Sequence, residues 1–505
     1  MNDDRRVETF DVAIAGGGPT GLTLACELAL AGVRAVLLER HAEQPPYCRG
    51  FTLNARSLEL LDRRGLADRF LAEGYRVPIA SFAGLEAPLN LATLDTDHPY
   101  TLGIPQTRTE QLLEAHAIEL GVPVRRGHEL IGAEQDDGGV SIEVRGPEGI
   151  YALRASYLAG CDGGRSTVRK GAGIGFPGTD ATTTWLLGDV VVADPTSLTV
   201  GSHRTEHGSV VVIPRPGYVR VITAERTMPK HRDATVTLDE FREAVCQALG
   251  REVEFVEPRW LTRFGDAARQ AERYVSSRIM LAGDAAHIHP PAGAQGLNIG
   301  LQDAFNLGWK LAANVQGKAP RELLESYHTE RHAVGAKLLL NTRAQVALAE
   351  PQDRLDPLRA LMSELAALAP VRRHLAEMVT GVGTRYDMGV PDADAHPMLG
   401  RLAPNVTLET AQGPRKLSSL LHPGRGVLLD LGGKPELCDI ASNWSDRVAF
   451  VQAAPMEWRG IGSVLIRPDG HAAWIRSSND GTAEGLPEAL TRWFGPEMHP
   501  HRAQA

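Results

Sequence analysis

The chain has 505 residues, more than one ordinary hydrophobic core accommodates, so two or three domains are expected. Hydrophobic residues make up 43% and charged residues 23% of the sequence, which is typical of a globular protein and excludes a disordered one. The formal net charge of −9 disfavours a nucleic-acid partner, because phosphate binding requires a basic face.

Between residues 10 and 170 the sequence alternates predicted strands with predicted helices, which favours an α/β layer. It opens with FDVAIAGGGPTGLTLACELALAGVRAVLLER, a pattern that predicts a strand, a glycine turn, a helix and a second strand. Helical spacing recurs over 57–72 and in a helix that ends at Gly121. GGVSIEVRG and IYALRASYLAG then predict further strands.

The character of the sequence changes twice more. SVVVIPRP and YVRVITAE are short β-branched stretches bounded by Pro and Gly, which predict a mixed or antiparallel sheet inserted into the first domain. The α/β pattern returns at SSRIMLAGD, and a Pro-rich junction then precedes a smaller α/β unit with a Pro468-Asp469-Gly470 hairpin turn. We therefore predict a first domain made of 1–175 and 276–390, an inserted sheet domain over 176–275, and a C-terminal domain over 391–505.

The glycine turn fits the GxGxxG pattern through Gly16, Gly18 and Gly21. The first glycine allows the tight turn, the second lets the backbone approach a pyrophosphate, and the third lets helix and strand pack closely. The helix N-terminus then directs N–H groups at the phosphates, and Glu39 can accept hydrogen bonds from ribose hydroxyls. The pattern predicts a bound nucleotide and leaves NAD, NADP and FAD open. A second GxGxxG, over 173–178, lacks a preceding strand and a matching acid, so we interpret it as a loop.

Two later stretches decide between these nucleotides. They are YLAGCDGGRSTVRK, over 157–170, and RIMLAGDAAHIHPPAGAQGLNIGLQDAFNLGWKLA, over 278–312. With the glycine turn they resemble the class A FAD-dependent aromatic hydroxylases, the p-hydroxybenzoate hydroxylase superfamily, over nearly the whole chain. Within it, the chain looks most like aromatic-polyketide hydroxylases of the tetracycline and angucycline type and the rifampicin monooxygenases. The resemblance implies an α/β fold: a Rossmann-like FAD-binding domain, an inserted mixed β-sheet substrate domain and a C-terminal thioredoxin-like domain.

The same resemblance implies roles for individual residues around a non-covalent FAD. Arg49 would lie near the pyrophosphate and the path of the nicotinamide, Gln106 near the ribityl chain, and Asp162 in a motif that serves both FAD and transient NADPH. The family usually reads GGQG where this chain has Gly293-Ala294-Gln295-Gly296, so we expect Ala294 to shift the loop or to require a negative φ. The remaining cofactor-binding candidates are Gly16, Gly18, Pro19, Thr20, Gly21, Glu39 and Arg40 for the ADP half, Gly283 and Asp284 for the ribityl chain, and Pro291, Gly296, Leu297 and Asn298 around the flavin ring.

The implied reaction is a monooxygenation in which NADPH reduces the flavin, O2 adds to give a flavin hydroperoxide, and an electron-rich aromatic carbon takes one oxygen atom. Because the cofactor carries the chemistry, no catalytic dyad is expected. A small polycyclic aromatic substrate would lie between the flavin and the inserted sheet, against apolar residues such as Val211. Packing of these apolar residues in the protein core is an equally good interpretation. The substrate-contact candidates are Val211, Ile213, Arg215, Tyr218, Pro290 and Gly293.

Several alternatives stay open or are set aside. A Baeyer–Villiger or antibiotic-inactivating oxygenase of the same family, NADH in place of NADPH, and a flavin-binding sensor without turnover all fit the sequence, which also leaves the oligomeric state open. His287 and His289 form HxH, but without a third spaced ligand we predict no metal site. Cys161 is interpreted as a buried structural thiol, and the lone Cys438 excludes a dithiol cycle. Scattered cysteines and the lack of a readable signal or membrane span predict a cytoplasmic protein.

Overall fold

The βαβ unit around the glycine turn is present at the start of the structure. The structure is a computed structural model and describes residues 7–497 except 86, 226–233, 321, 351, 392–394, 456–457, 459 and 480–481. Its first elements are β1 (Glu8–Ala15), α1 (Pro19–Leu30) and β2 (Ala35–Glu39). The elements that follow are β3 (Thr52–Leu53), α2 (Ala55–Asp62), α3 (Ala67–Leu71), β4 (Tyr75–Val77), β5 (Ile79–Ala80), β6 (Leu89–Asn90), β7 (Thr101–Gly103), α4 (Gln106–Glu119), β8 (Val124–Arg126), β9 (Glu129–Asp136), β10 (Gly139–Gly146), β11 (Gly149–Gly160) and α5 (Thr167–Gly171).

An antiparallel sheet follows, as the β-branched stretches predict. Its strands pair in the order β14-β15-β16-β13-β17, and α6 packs on one face with Val210, Val212, Val221 and Phe241 buried between them. The elements of this part are β12 (Gly178–Thr179), β13 (Thr184–Val192), β14 (Gly201–Thr205), β15 (Gly208–Arg215), β16 (Tyr218–Ala224), α6 (Leu238–Leu249), β17 (Phe255–Gly265), β18 (Ala268–Gln270) and β19 (Val275–Ser276).

The chain then returns to the first sheet. β20 (Ile279–Leu281) pairs in parallel with β11, so the sheet has the order β19-β20-β11-β1-β2-β8. β10 also pairs with β11, and β9 pairs with β10. A strand that follows the antiparallel sheet thus completes the sheet begun before it. The other elements here are β21 (His287–Ile288), α7 (Gly296–Val315), α8 (Leu323–Ala349), α9 (Asp356–Ala367) and α10 (Ala369–Thr380).

The C-terminal part forms its own mixed sheet. Its strands pair in the order β23-β22-β25-β24-β26-β27, with β24 and β25 parallel and the other pairs antiparallel. The elements are β22 (Thr407–Thr410), β23 (Gly413–Lys416), α11 (Leu417–Leu420), β24 (Gly426–Asp430), α12 (Pro435–Ser442), β25 (Val448–Pro455), β26 (Ile461–Ile466), β27 (Ala472–Ser477) and α13 (Leu486–Phe494). Within the described part of the chain, no helix combines the length and apolar character needed to cross a bilayer.

Two sequence expectations are refined by these elements. The helical spacing over 57–72 becomes two helices, α2 and α3, because Gly65 adopts a φ of 68° between them. The turn at Pro468-Asp469-Gly470 joins β26 and β27 as predicted, and the Gly470 N–H donates to the Arg467 carbonyl over 2.8 Å. The α/β class with an inserted sheet is confirmed, whereas the thioredoxin-like character of the last sheet stays a prediction.

Candidate active site

In the glycine turn between β1 and α1, Gly16 and Gly21 are closely packed against other backbone atoms, whereas Gly18 is not. Gly16 has a φ of 107°, and a Cβ there would lie 2.3 Å from the Cys161 carbonyl oxygen. A Cβ at Gly21 would lie 2.0 Å from the Gly16 carbonyl oxygen, whereas one at Gly18 would meet no described heavy atom within 4 Å. Gly16 and Gly21 are therefore required by the fold itself. Gly18 borders open space at the N-terminus of α1, a position whose free N–H groups suit an anionic ligand.

Glu39 ends β2 with its carboxylate turned back toward the glycine turn. Its Oε2 accepts from the Gly17 N–H over 2.7 Å, and its Oε1 accepts from the His41 N–H over 2.9 Å. Each oxygen keeps a further lone pair, which can accept from a ribose hydroxyl. Arg40 is exposed beside it, with its Nε 3.3 Å from His41 Nε2.

Thr20 connects the glycine turn to the later Gly283-Asp284 motif. A Cβ added at Gly283 would lie 2.7 Å from Thr20 Oγ1, and one at Gly300 in α7 would lie 2.3 Å from the same atom. Pro19 is the buried first residue of α1, where its lack of an N–H removes no helical hydrogen bond. The first and third motifs of the sequence therefore meet at the N-terminus of α1.

The Gly283-Asp284 turn is held from behind by Asp303, a residue that the sequence analysis did not single out. The Gly283 N–H donates to Asp303 Oδ2 over 3.0 Å, and His287 Nε2 lies 2.7 Å from the same oxygen. Arg331 Nε donates to the other oxygen over 2.7 Å. Burial would raise the pKa of Asp303, but the Arg331 guanidinium and His287 hold that pKa below its ordinary value. Asp284 itself is exposed, so its carboxylate is available to a ligand.

The two histidines of the HxH stretch have structural partners. His287 is bonded to Asp303, and His289 Nδ1 lies 2.7 Å from the Pro290 carbonyl oxygen. Burial lowers the pKa of His289, which favours its neutral form. Among the described residues, no group of three or more His, Cys, Asp and Glu side chains is placed to hold a metal ion.

The N-terminus of α7 faces the same region. The N–H groups of Gly296, Leu297 and Asn298 belong to its first turn, which has no intrahelical acceptors. The Asn298 side chain is already engaged: its Oδ1 accepts from the Asn54 N–H over 2.8 Å and from Ser57 Oγ over 2.7 Å. Only the backbone of Asn298 is therefore available to a ligand, whereas its side chain fixes α7 against α2.

Asp162 occupies the turn after β11 and caps the short helix α5. Its Oδ2 accepts from the Thr167 N–H over 2.7 Å and from the Val168 N–H over 3.1 Å, and its Oδ1 accepts from Ser166 Oγ. Oδ2 is therefore fully engaged, whereas Oδ1 keeps a further lone pair that can accept from a ligand. Burial raises the pKa of the neighbouring Cys161 thiol, which makes a reactive thiolate unfavourable there.

Gln106 and Arg49 lie at the opposite edge of the candidate site. Gln106 begins α4, and its Oε1 accepts from the Gly50 N–H over 3.1 Å. A Cβ at Gly50 would lie 3.6 Å from Leu297 Cδ1, so this segment also borders α7. Arg49 is exposed, with its Cζ 5.8 Å from the centroid of the Tyr47 ring.

Comparison with known proteins identifies the family to which this arrangement belongs. A family model described as "FAD binding domain" matches residues 9–342, and one described as "Aromatic-ring hydroxylase, C-terminal" matches residues 396–497. The chain belongs to the FAD-dependent aromatic-ring hydroxylases. The predicted family, the FAD cofactor and the monooxygenase class of enzyme are thereby confirmed.

The hydroxylase is similar along its whole length to enzymes of antibiotic metabolism. It is 44% identical over 504 residues to the 12-dehydrotetracycline 5-monooxygenase/anhydrotetracycline 6-monooxygenase of Streptomyces rimosus subsp. rimosus, covering 96% of this chain and 99% of that one. It is 43% identical over 493 residues to a rifampicin monooxygenase of Streptomyces venezuelae, with 96% and 99% coverage. Among solved structures, the anhydrotetracycline hydroxylase OxyS of Streptomyces rimosus matches with a TM-score of 0.92 at 44% identity, over 97% of this chain and 100% of that one. CabE, an aromatic hydroxylase from angucycline biosynthesis, matches with a TM-score of 0.90 at 40% identity, over 97% and 99%.

Alternate side chains of β15, a strand of the inserted sheet, point toward α6 and away from it. Val210 and Val212 pack against α6, so the alternation of the strand places Val211, Ile213 and Arg215 on the other face, where all three are partly buried. The Arg215 guanidinium carbon lies 3.6 Å from the centroid of the Phe51 ring. Within the described chain, Arg215 Nε is buried without a hydrogen-bond partner, and burial lowers the pKa of this guanidinium.

The other substrate-contact candidates are more scattered. Tyr218 lies at the start of β16, and the Arg259 guanidinium carbon is 4.7 Å from the centroid of its ring. Pro290 is buried in the loop before α7, and Gly293 is exposed in that loop with a φ of 70°. The β15–β16 hairpin pairs Tyr218 directly with Arg215, whereas Pro290 and Gly293 belong to the separate loop before α7.

A buried ion pair, missed in the sequence, joins the inserted sheet to the segment before β3. Arg220 donates from Nε and Nη2 to the two oxygens of Asp189 over 2.8 Å, and both side chains are buried. Arg220 Nη1 also donates to the Arg49 carbonyl over 3.0 Å, and its Nη2 donates to the Cys48 carbonyl. This contact fixes the backbone beside Phe51 against the sheet. A charged residue in an otherwise β-branched strand was the available signal.

Of the two outcomes expected for Ala294 in the loop before α7, the negative φ is wrong. Ala294 adopts a φ of 53°, not the negative value expected for a residue with a side chain. Its N–H donates to the Pro291 carbonyl over 3.2 Å, and its carbonyl accepts from Asn298 Nδ2 over 3.1 Å. A left-handed alanine costs roughly 1–2 kcal/mol, and these two hydrogen bonds offset that strain.

Proposed function

We propose that this hydroxylase transfers one oxygen atom from O2 to a polycyclic phenol of the aromatic-polyketide type, with NADPH as the reductant. Its full-length similarity to tetracycline-type and rifampicin monooxygenases supports this substrate class. FAD, when bound, supplies the redox chemistry and the activation of oxygen, while the protein binds, orients and excludes water.

The face of β15 that points away from α6 carries the proposal for the substrate. Val211 and Ile213 offer partly buried apolar surface, and Arg215, stacked on the Phe51 ring, offers a partly buried cation whose Nε is unpaired among the described residues. The Arg215 guanidinium can attract a ligand oxygen, because a hydrogen bond from a charged donor is stronger than one from a neutral donor. A planar aromatic ring with a phenolate or carbonyl oxygen has both properties that this face requires.

The proposed cofactor contacts use groups that have no protein atoms packed against them or that keep free hydrogen-bonding capacity. The space at Gly18 and the N-terminus of α1 would take the pyrophosphate, Glu39 the adenosine ribose, and exposed Asp284 the ribityl hydroxyls. The first turn of α7 would face the flavin pyrimidine, where the positive end of the helix dipole stabilises the negative charge of the reduced ring. Asp162 would shape the turn beside Gly16 through three accepted hydrogen bonds, and its Oδ1 keeps one lone pair for the cofactor.

We also propose the four-part division into 1–175, 176–275, 276–390 and 391–505. It is supported by β20, which returns to the parallel sheet after the antiparallel one. A cytoplasmic location is proposed because all five cysteines are free thiols, which is typical of a reducing compartment.

The function is tested by NADPH oxidation and labelled oxygen. The purified FAD-loaded enzyme is incubated with a panel of polycyclic phenols, and products formed under 18O2 are analysed by mass spectrometry. One labelled oxygen on a ring carbon supports hydroxylation, whereas a labelled oxygen inserted beside a carbonyl identifies a Baeyer–Villiger reaction. NADPH oxidation that no phenol stimulates, without any product, would contradict the proposal and favour a flavin-binding sensor.

The role of Arg215 is tested separately with a matched arginine. Arg215→Met should raise KM for the phenol about tenfold or more, since a charge-assisted hydrogen bond contributes roughly 1.5–3 kcal/mol. Arg242→Met removes an exposed arginine from α6, on the opposite face of the same sheet, and should leave KM within about twofold. Equal KM values for both variants would exclude Arg215 from substrate binding.

A further inference from the structure

The turn that joins β26 and β27 carries charged side chains into the interior of the protein. Arg467 is 0% exposed and Asp469 is 1% exposed, although both lie on a hairpin turn. Arg467 donates to both oxygens of Glu330 in α8, over 2.6 Å and 3.0 Å, and also to Asp469. A turn of the C-terminal sheet is therefore bonded to a helix that packs behind the flavin site.

The same cluster also holds α7. Lys310 Nζ donates to Glu330 Oε2 over 2.8 Å, and Trp309 Nε1 donates to Asp469 Oδ2 over 3.3 Å. Burial would raise the pKa of Glu330, but Arg467 and Lys310 lower that pKa to about 2. Two acids and two bases thus form a cluster with no net charge between α7, α8 and the hairpin; they are Glu330, Asp469, Arg467 and Lys310.

Arg331, the residue after Glu330 in α8, is linked to the Gly283-Asp284 turn through Asp303. Arg331 donates to Asp303 Oδ1 over 2.7 Å, and Asp303 Oδ2 accepts from the Gly283 N–H over 3.0 Å. Arg331 Nη1 also donates to Tyr386 Oη over 3.0 Å.

Tyr386 provides a second link back to the hairpin. The Arg467 guanidinium carbon lies 5.3 Å from the centroid of the Tyr386 ring, and the His471 ring centroid lies 4.5 Å from it. The hairpin and the Gly283 turn are therefore connected by two chains of contacts that share Arg331.

We propose that Arg467 and Asp469 are positioning residues for the flavin, which act through Glu330, Arg331 and Asp303 on the Gly283-Asp284 turn. The inference rests on the proposed contact between that turn and the ribityl chain. Apolar side chains of similar volume often stabilise a core as well as buried ion pairs do, so stability alone does not account for this cluster. Directional hydrogen bonds fix the orientation of α8, which apolar packing does less specifically. The hairpin of the C-terminal domain thereby sets the geometry of a turn that belongs to the first domain.

The first test compares two buried arginines of the same hairpin. Arg467→Met should raise the FAD dissociation constant about tenfold or more, measured well below the unfolding midpoint of each variant. Arg476→Met removes a buried arginine in β27 that donates to Ser463 Oγ over 3.0 Å, and should change that constant by less than about twofold. Equal effects of the two substitutions would overturn the proposal.

A double-mutant cycle separates a linked network from general destabilisation. Arg467→Lys keeps the charge but loses the two-pronged contact, and Asp303→Asn weakens the hold on Gly283. Their effects on FAD affinity should be non-additive by about threefold or more, whereas Asp303→Asn and Arg476→Met should be additive. Additivity in both cycles would contradict the link. A wild-type protein that binds no FAD would instead defeat the proposed function.

A measurement on the wild-type protein decides the matter if the variants do not fold. Because linkage is reciprocal, FAD binding should slow amide hydrogen exchange in the turn 467–471 several-fold. The turn 411–412 between β22 and β23 lies in the same sheet and serves as the control, with unchanged exchange expected. Identical exchange of 467–471 with and without FAD would refute the inference.

Discussion

Replacing Gly18 by alanine should change FAD affinity without changing the stability of the fold. Gly18 has a φ of −76° and a ψ of 179°, which alanine adopts without strain. A Cβ there would meet no described heavy atom within 4 Å. The loss of a good N-cap residue costs about 1 kcal/mol, and the reduced entropy of the unfolded chain returns about 0.4–1 kcal/mol. We therefore expect the free energy of unfolding of the FAD-free protein to change by less than about 0.5 kcal/mol.

FAD binding should respond very differently. The new methyl group would occupy space that we assign to the pyrophosphate, and overpacking of this kind costs about 1–3 kcal/mol. That range corresponds to an increase of about 5-fold to 150-fold in the FAD dissociation constant. Fluorescence titration of FAD into FAD-free protein measures the constant, and urea unfolding of the same samples measures stability.

Gly21→Ala is the matched control, because it adds the same methyl group one helical turn away. Its Cβ would lie 2.0 Å from the Gly16 carbonyl oxygen, so we expect loss of the folded protein itself. Wild-type FAD affinity in the Gly18→Ala protein would refute the assignment of the pyrophosphate to this turn. A strong loss of stability in that variant would refute the claim that Gly18 borders open space.

Further outcomes follow from other parts of the site. Acid precipitation should release FAD into the supernatant, since we predict no covalent attachment; yellow pellets would contradict this. Glu39→Ala should raise the FAD dissociation constant about tenfold or more in the same titration, because one or two charge-assisted hydrogen bonds are lost. Asp162→Ala should lower the melting temperature through loss of its helix cap and should slow anaerobic flavin reduction by NADPH in stopped-flow experiments. Burial lowers the pKa of His471 to about 4 in the folded protein, whereas an unfolded histidine titrates near about 6.5. As pH falls below about 6.5, the unfolded chain therefore takes up a proton before the folded protein does. The free energy of unfolding should decline by up to about 3 kcal/mol toward pH 4. His471→Gln should flatten that decline, and an unchanged pH profile of the melting temperature would exclude His471 as its source.

The parts of the site that lie close together in sequence were predictable. Gly16, Gly18, Gly21 and Glu39 occupy one βαβ unit, where spacing alone fixes their relative positions. The hairpin at Pro468-Asp469-Gly470 was predictable for the same reason, because its turn residues are adjacent. Local rules suffice wherever the chain needs only a few residues to bring two groups together.

The supports of the site depend on contacts across long stretches of chain. Asn54 meets Asn298, and Arg331 meets Asp303, through the packing of helices whose approach no local pattern encodes. Asp303 and Lys310 nevertheless left a signal, since both are charged residues in a largely apolar helix, α7, and both are 0% exposed. A charged residue within such a helix indicates a buried partner without identifying it.

Ala294 shows how such distant contacts overrule a local rule. Its methyl group makes a φ of 53° unfavourable, and the sequence alone therefore favours a negative angle. The Asn298 amide donates to the Ala294 carbonyl, and Asn298 is itself held by Asn54 and Ser57. The conformation of the loop before α7 is thus set by α2, through a side chain that has no spare donor or acceptor for the flavin. A strained residue beside a binding site persists only when its surroundings determine it. Here those surroundings are the side chains of Asn298 and Ser57 and the backbone N–H of Asn54, the residue that caps α2.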